Sequence, residues 1–170
     1  MPREAMGVRE KVFLGVVVLV FLVILVLSGQ GKEQDERFKQ DYLKWAKAQE
    51  LLSQKEYAEA EKLLAELLQR HRDSHRVVFL YAVALGEQGK YQESLNWLTE
   101  EVKMRRAVLA DNGYLFYRAS VLYRMGRKDE ALAYLQEAEL RARQNGAGEE
   151  AMQAIEKMRQ AVEKGSQDGR

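Results

Sequence analysis

The chain has no cysteine, which excludes disulfide staples, thiolate nucleophiles and thiolate-ligated metals. Proline is almost absent as well. The single one is Pro2, so nothing from Arg3 to Arg170 carries a ring that would break a helix or remove a backbone donor. Net charge is slight: 27 Lys+Arg against 26 Asp+Glu leave +1 at pH 7, far from the basic field that neutralises nucleic-acid phosphates. Nucleic acid is therefore not an expected partner. The chain shows no glycine-rich phosphate loop, no nucleophile motif and no isolated carboxylate pair. No enzymatic activity, cofactor or small-molecule substrate is expected.

Hydrophobic residues make up 46% of the chain, but their placement matters more than their number. In the block from Val12 to Leu27 only Gly15 lies outside the apolar set, and no charge occurs between Lys11 and Lys32. At about 1.5 Å per residue that uncharged stretch makes a helix of roughly 30 Å, the thickness of a hydrocarbon core. Residues 12–29 are thus expected to form one transmembrane helix, a signal anchor, after a short basic tail (1–11) with Arg3, Arg9 and Lys11. A cleavable signal peptide is the competing reading. Against it, the run exceeds the usual apolar region, and Val26-Leu27-Ser28 and Gly29-Gln30-Gly31 are poor versions of the small-x-small cleavage pattern. A basic tail just before a first span usually stays in the cytoplasm, so the rest of the chain is expected on the outer side of the membrane. Residues 30–40 read as a linker and the start of the first helix of the domain.

Without that block the chain is rich in Ala, Leu, Glu, Gln, Lys and Arg, the residues that lose least on entering a helix, and the fold class is all-α. Three segments repeat. Ala48-x-x-Leu51 is followed by Glu56-Tyr57-Ala58-Glu59-Ala60 and Leu64; Ala82-x-x-Leu85 by Gly89-Lys90-Tyr91-Gln92-Glu93-Ser94 and Leu98; Ala119-x-x-Leu122 by Gly126-Arg127-Lys128-Asp129-Glu130-Ala131 and Leu135. From Tyr57 to Tyr91 is a step of 34 residues, and from Tyr91 to Lys128 a step of 37. The small residues let two helices approach closely, the leucines fill the seam, and Gly89 and Gly126 fall where the first helix must stop. One such hairpin cannot bury its own apolar faces, so several must stack.

The three extra residues of the second unit are expected to lengthen its second helix through Glu101 to Leu109, with Asp111-Asn112-Gly113 breaking it and capping the next. After Gly146-Ala147-Gly148, Met152, Ile155, Met158 and Val162 lie opposite a polar face that includes Glu149, Glu150, Gln153, Lys157, Gln160 and Glu163. Residues 146–164 read as the capping helix of a repeat stack, and 165–170 as a disordered tail.

The order of small residue, Leu, Gly-x-Tyr-x-Glu-Ala and a later Leu resembles the tetratricopeptide repeat, whose usual length is 34 residues. The resemblance covers 41–145 as three repeats, at about 41–74, 75–111 and 112–145. The first repeat has Lys55 in place of the glycine, and all three lack the closing proline. The resemblance implies an α-solenoid of about three helix hairpins with a capping helix, whose first helices form a concave face that grips a segment of a partner. Carried over position by position, Tyr42, Trp45, Gln49, Arg76, Phe79, Val83, Phe116, Ser120, Tyr123 and Arg124 are expected on that face as partner-binding residues. Aromatic and arginine side chains dominate interface energetics. The carboxylate clamp of some tetratricopeptide domains needs Lys, Asn and Arg, which Trp45, Gln49, Val83, Phe116 and Ser120 do not supply.

His71 and His75 stand four apart, but no third or fourth ligand accompanies them. They read as surface histidines at a hairpin junction where Asp73 or Ser74 caps the next helix, so no metal is expected. The basic runs Arg70-His71-Arg72 and Lys103-Met104-Arg105-Arg106 read as solvated helix faces. The expected function is that of a membrane-tethered adaptor that holds a protein partner. The alternative is a structural or self-associating subunit of a membrane or envelope assembly or secretion complex.

Overall fold

The computed structural model describes Leu19 and residues 35–167, and all regular structure among them is helical. The chain divides into two units, Met1–Leu43 and Lys44–Arg170. In the first, residues 35–43 are helical and expose Phe38, Tyr42 and Leu43. In the second, helix α1 (44–53) is followed by α2 (Tyr57–Arg70), α3 (His75–Glu87), α4 (Tyr91–Met104), a 3-10 turn (Arg106–Ala110), α5 (Asn112–Arg124), α6 (Lys128–Gln144) and α7 (Glu149–Gln167).

The expected transmembrane helix, 12–29, lies outside the described residues except for Leu19. Among the described residues no helix is long and apolar enough to cross a membrane. The placement of this chain as a single-pass membrane protein with its domain outside the cytoplasm is corrected accordingly. The physical reason is composition: a span needs about 20 mostly apolar residues, whereas helices such as α6, which opens Lys128-Asp129-Glu130, carry charge in nearly every turn.

Successive helices of the second unit pack on one another from α2 through to α7, and α3 also touches α5. Where paired helices cross, the chain has small residues. Ala48, Ala60, Ala82, Ser94, Ala119 and Ala131 expose no surface, and Leu64, Leu85, Leu98, Leu122 and Leu135 fill the seams at 1% exposure or less. Ser94 is the one polar member of this set. Its hydroxyl donates to the Ala82 carbonyl at 2.7 Å, which keeps the buried group satisfied.

One turn recurs inside each hairpin, between its first and second helix. The N–H beyond it donates to a leucine carbonyl five residues back: Glu56 to Leu51 at 2.8 Å, Lys90 to Leu85 at 3.0 Å, Arg127 to Leu122 at 2.9 Å. The turn residue's own N–H bonds three back, Lys55 to Leu52, Gly89 to Gly86 and Gly126 to Tyr123. This pair of bonds satisfies the last carbonyls of the helix and requires left-handed backbone at the turn residue. Gly89 and Gly126 adopt it at φ 83° and 78°, and Lys55 adopts it at φ 64° in spite of its side chain. Bonding and packing thus impose the same turn on a residue that costs about 1–2 kcal/mol to place there.

Contacts between hairpins are polar as well as apolar. Gln88 and Lys90 both donate to the Glu61 carboxylate at 2.7 Å, and Arg124 pairs with Glu87 at 3.4 Å. The Tyr117 hydroxyl donates to the Val83 carbonyl at 3.2 Å. Gly86 makes this approach possible, because a Cβ there would overlap the Tyr117 hydroxyl and meet Ser94 Oγ at 3.0 Å. Tyr81 and Trp97 stack edge to face at 5.4 Å, and Trp97 touches both core clusters.

The extra residues of the second unit do not lengthen α4, which ends at Met104. Arg105 is extended (φ −145°, ψ 92°) and a 3-10 turn follows. This break carries Val108 into the core at 7% exposure, an apolar contact that a straight continuation of the helix would forgo. Asp111 then caps α5 as expected, accepting from the Gly113 and Tyr114 amides at 2.8 and 3.1 Å. Ser74 holds the N-cap position of α3 without a side-chain cap bond. Helix α7 buries Ile155 and Val162 and continues through Gly165, where the sequence reads as a tail. Lys128 Nζ donates to the Gly165 carbonyl.

Two stability measurements follow. Lys55→Gly is expected to raise unfolding stability by about 0.5–1 kcal/mol and Gly126→Ala to lower it by about 1 kcal/mol, read as opposite shifts of the urea midpoint at unchanged slope. Gly86→Ala is expected to cost about 1–3 kcal/mol through overpacking. In a Tyr117→Phe background, where the clashing hydroxyl is gone, the same change is expected to cost less, and a double-mutant cycle reads the difference.

Candidate partner-binding groove

Helices α1, α3 and α5, the first of each hairpin, together with the turn after α4, enclose a groove of about 800 Å³. Sites of this size take up sizeable apolar ligands. Trp45 and Gln49 reach it from α1, Arg76, Phe79 and Val83 from α3, and Phe116 from α5. Helical spacing of three and four residues puts them on one face. Six of the ten expected partner-binding residues are thereby brought together.

The other four are placed elsewhere. Tyr42 belongs to the first unit and is exposed. Ser120 and Tyr123 are half-buried and do not line the groove, and Tyr123 packs against the core of the later hairpins. Arg124 is held by Glu87 and lies 6.0 Å over the Tyr91 ring. The reason is register. Tyr123 stands two repeats on from Leu52 and one on from Gly86, at a position used for packing between helices rather than for lining the concave face.

The groove floor is aromatic. Phe79 lies 6.1 Å from the Tyr114 ring and 5.8 Å, edge on, from Tyr117, separations at which aromatic pairs attract. The Tyr114 hydroxyl donates to the Leu98 carbonyl at 2.5 Å, and burial pushes its pKa up to about 12. Burial raises Tyr117 too. Both phenols therefore stay neutral, with their polar ends used inside the stack. The apolar surface of Phe79, Val83 and Phe116 is suited to bury side chains of a bound segment, at about 25 cal/mol per Å².

One end of the groove is different, and residue-type reasoning missed it. Glu101 is only 2% exposed. It stands at the position of Leu67 and Ala138 in the neighbouring repeats, both buried. A charged residue three after the seam leucine Leu98 was the available signal. Burial, then the nearby Asp111 carboxylate, pushes the Glu101 carboxyl up to about 7, with Arg105 opposing. His75 Nδ1 is 3.9 Å from Oε1. That imidazole is held below its usual range by burial and by Arg105 and Arg76, so at neutral pH it contributes no full charge. Glu101 Oε2 has no hydrogen-bond partner.

Residues 34–164 match the family described as the T7SS, ESX-1 secretion system protein EccA1, N-terminal domain. The chain belongs to this family. The match takes in every groove residue named above. No curated protein matches the chain. Among solved structures, the chain is similar to the type III secretion translocator chaperone SycD of Yersinia enterocolitica, at 16% identity and TM-score 0.65 over 74% of this chain and 85% of that one. It is similar to PcrH, a Pseudomonas aeruginosa protein, in its complex with the chaperone binding region of PopD, at 17% identity and TM-score 0.64 over 78% and 95%. The Sgt2 TPR domain of Aspergillus fumigatus follows at 12% and 0.60 over 75% and 82%. At these identities the likeness shows the fold, a tetratricopeptide-like stack of helices.

The raised carboxyl has a consequence for stability. The folded state binds a proton at Glu101 that the unfolded chain has released, so this residue's contribution falls as pH rises from about 4.5 to about 7 and stays low above. Glu101→Gln, which cannot ionise, is expected to be more stable than the parent at pH 8 by about 1–3 kcal/mol. At pH 5 the gain is expected to shrink, as checked by urea unfolding at the two pH values.

Proposed function

We propose that this chain is a protein-interaction module working in secretion, which holds a segment of another protein in the groove between α1, α3 and α5. The observation that carries the reading is the groove itself: an aromatic and aliphatic lining built from the first helix of each hairpin, with the exposed Arg76, Arg105 and Asp111 beside it. Its family supports the setting, since the matched domain is one of a type VII secretion protein. The fold neighbours support the mode of binding, because PcrH is described with the chaperone binding region of PopD, and SycD with a peptide of the translocator YopD. The reading assigns no catalytic step to the chain. A self-associating subunit is the second reading, favoured by the exposed Phe38, Tyr42 and Leu43 of the first unit.

A photo-crosslinking amino acid placed at Val83, in the groove, or at Leu140, exposed on α6, distinguishes these readings in native cells. Expected is one adduct with a different protein from position 83 and none from 140. Adding Phe116→Ala is expected to lower the yield about fivefold, the effect of losing an anchor worth roughly 1 kcal/mol, with helicity unchanged. Adducts only between copies of this chain would favour self-association, and adducts from 140 alone would move the binding surface off the groove.

A further inference from the structure

Among the described residues that line the groove, Glu101 alone has a buried carboxylate oxygen, Oε2, without a hydrogen bond, and nothing in the packing of the stack calls for it. The preceding and following repeats put Leu67 and Ala138 at this position and bury them. An ionisable group without donors is the costlier choice for a core. Where a chain breaks its own repeat rule at a loss of stability, the place to look is function.

We propose that Glu101 is a specificity-determining residue, selecting partner segments that carry a lysine or arginine where they meet the α4 end of the groove. This rests on the groove reading and adds the chemistry of the occupant. The groups that face Glu101 set the sign. From α5 comes Asp111, whose Oδ1 accepts from the Gly113 and Tyr114 amides and whose charge makes the site more negative. Tyr114 uses its hydroxyl on Leu98, and Arg118 is turned to Thr99 and to the Tyr134 ring at 5.0 Å. From α3 come His75, mostly neutral at pH 7, and the exposed Arg76; from the end of α4 comes Arg105, also exposed, whose opposing effect at Glu101 ranks below that of Asp111.

Among the described residues, His75 at 3.9 Å is the only basic group within ion-pair distance of the carboxyl, and Arg105 acts on it from farther off. A basic side chain of a bound segment supplies what is missing. A desolvated carboxylate discriminates strongly, because an apolar or neutral side chain of equal length leaves it buried and unpaired. The selection is linked to protons. With the carboxyl titrating at about 7, the advantage of a basic residue is full above that pH and fades below it, as Glu101 takes up a proton. His75 gains charge on further acidification and acts in the same direction.

The test uses the full chain and a displayed library of random twelve-residue peptides, selected at pH 8 and counter-selected against Phe116→Ala so that groove binders survive. Survivors are expected to share one Lys or Arg at a fixed distance from apolar residues. A synthetic survivor is expected to bind about tenfold or more tighter than its copy with norleucine at that place. The ratio is expected to shrink at pH 6, although the charge of the Lys or Arg itself is unchanged there, and to stay near one at both pH values with Glu101→Gln. The pH series on the unaltered chain decides the matter even if that variant folds poorly. Groove binders without a shared basic residue, or a ratio that persists at pH 6, overturn the proposal and leave the groove reading standing. A library that yields no binder sensitive to Phe116→Ala overturns both.

Discussion

Close crossing of paired helices at small residues is the constraint on which the rest of this molecule depends. Ala82 against Ser94 shows it at atomic scale, since the serine hydroxyl can reach a main-chain carbonyl of the facing helix at 2.7 Å only if the two backbones nearly touch. Once the pair is that tight, its leucines are shared between neighbours, and no hairpin completes its core alone. Stacking then aligns the first helices. The groove is the concave surface that this alignment leaves, and its residues were placed by packing that occurs on their other side.

The same constraint explains the polar links between hairpins. Glu61 collects Gln88 and Lys90, and Arg124 meets Glu87, at separations that hold only when the repeats are in register. Each exposed or half-exposed pair contributes little by itself. Their position matters more, because they disfavour sliding of one hairpin past the next. Gly86 and the Tyr117 hydroxyl act alike, setting how near α5 comes to α3.

Much of the fold was legible in the sequence because it is written locally. Alanine–leucine spacing, Gly89 and Gly126, and the Asp111 cap each specify a structure within a few residues. Other features depend on partners far along the chain. That Lys55 adopts the conformation of a glycine follows from the bonds of its turn and not from its side chain. The break at Arg105 follows from the burial of Val108, and helix propensity alone favours a straight continuation. At the groove, Trp45, Gln49, Arg76, Phe79, Val83 and Phe116 share a face that the tetratricopeptide resemblance implies, whereas Tyr123 and Arg124 lie past the point where α5 turns to packing. Glu101 escaped because residue-type reasoning places glutamate on the surface, and only alignment with Leu67 and Ala138 marks it as buried.

A groove assembled from three hairpins and closed at one end by a buried carboxyl suits the capture of a protein segment, and the direct measurement is a crystal structure of this chain with the segment it captures in cells. Density for that segment along Phe79, Val83 and Phe116 is the expected result. A segment seated on the outer faces of α2, α4 and α6, with the groove empty, would contradict the account.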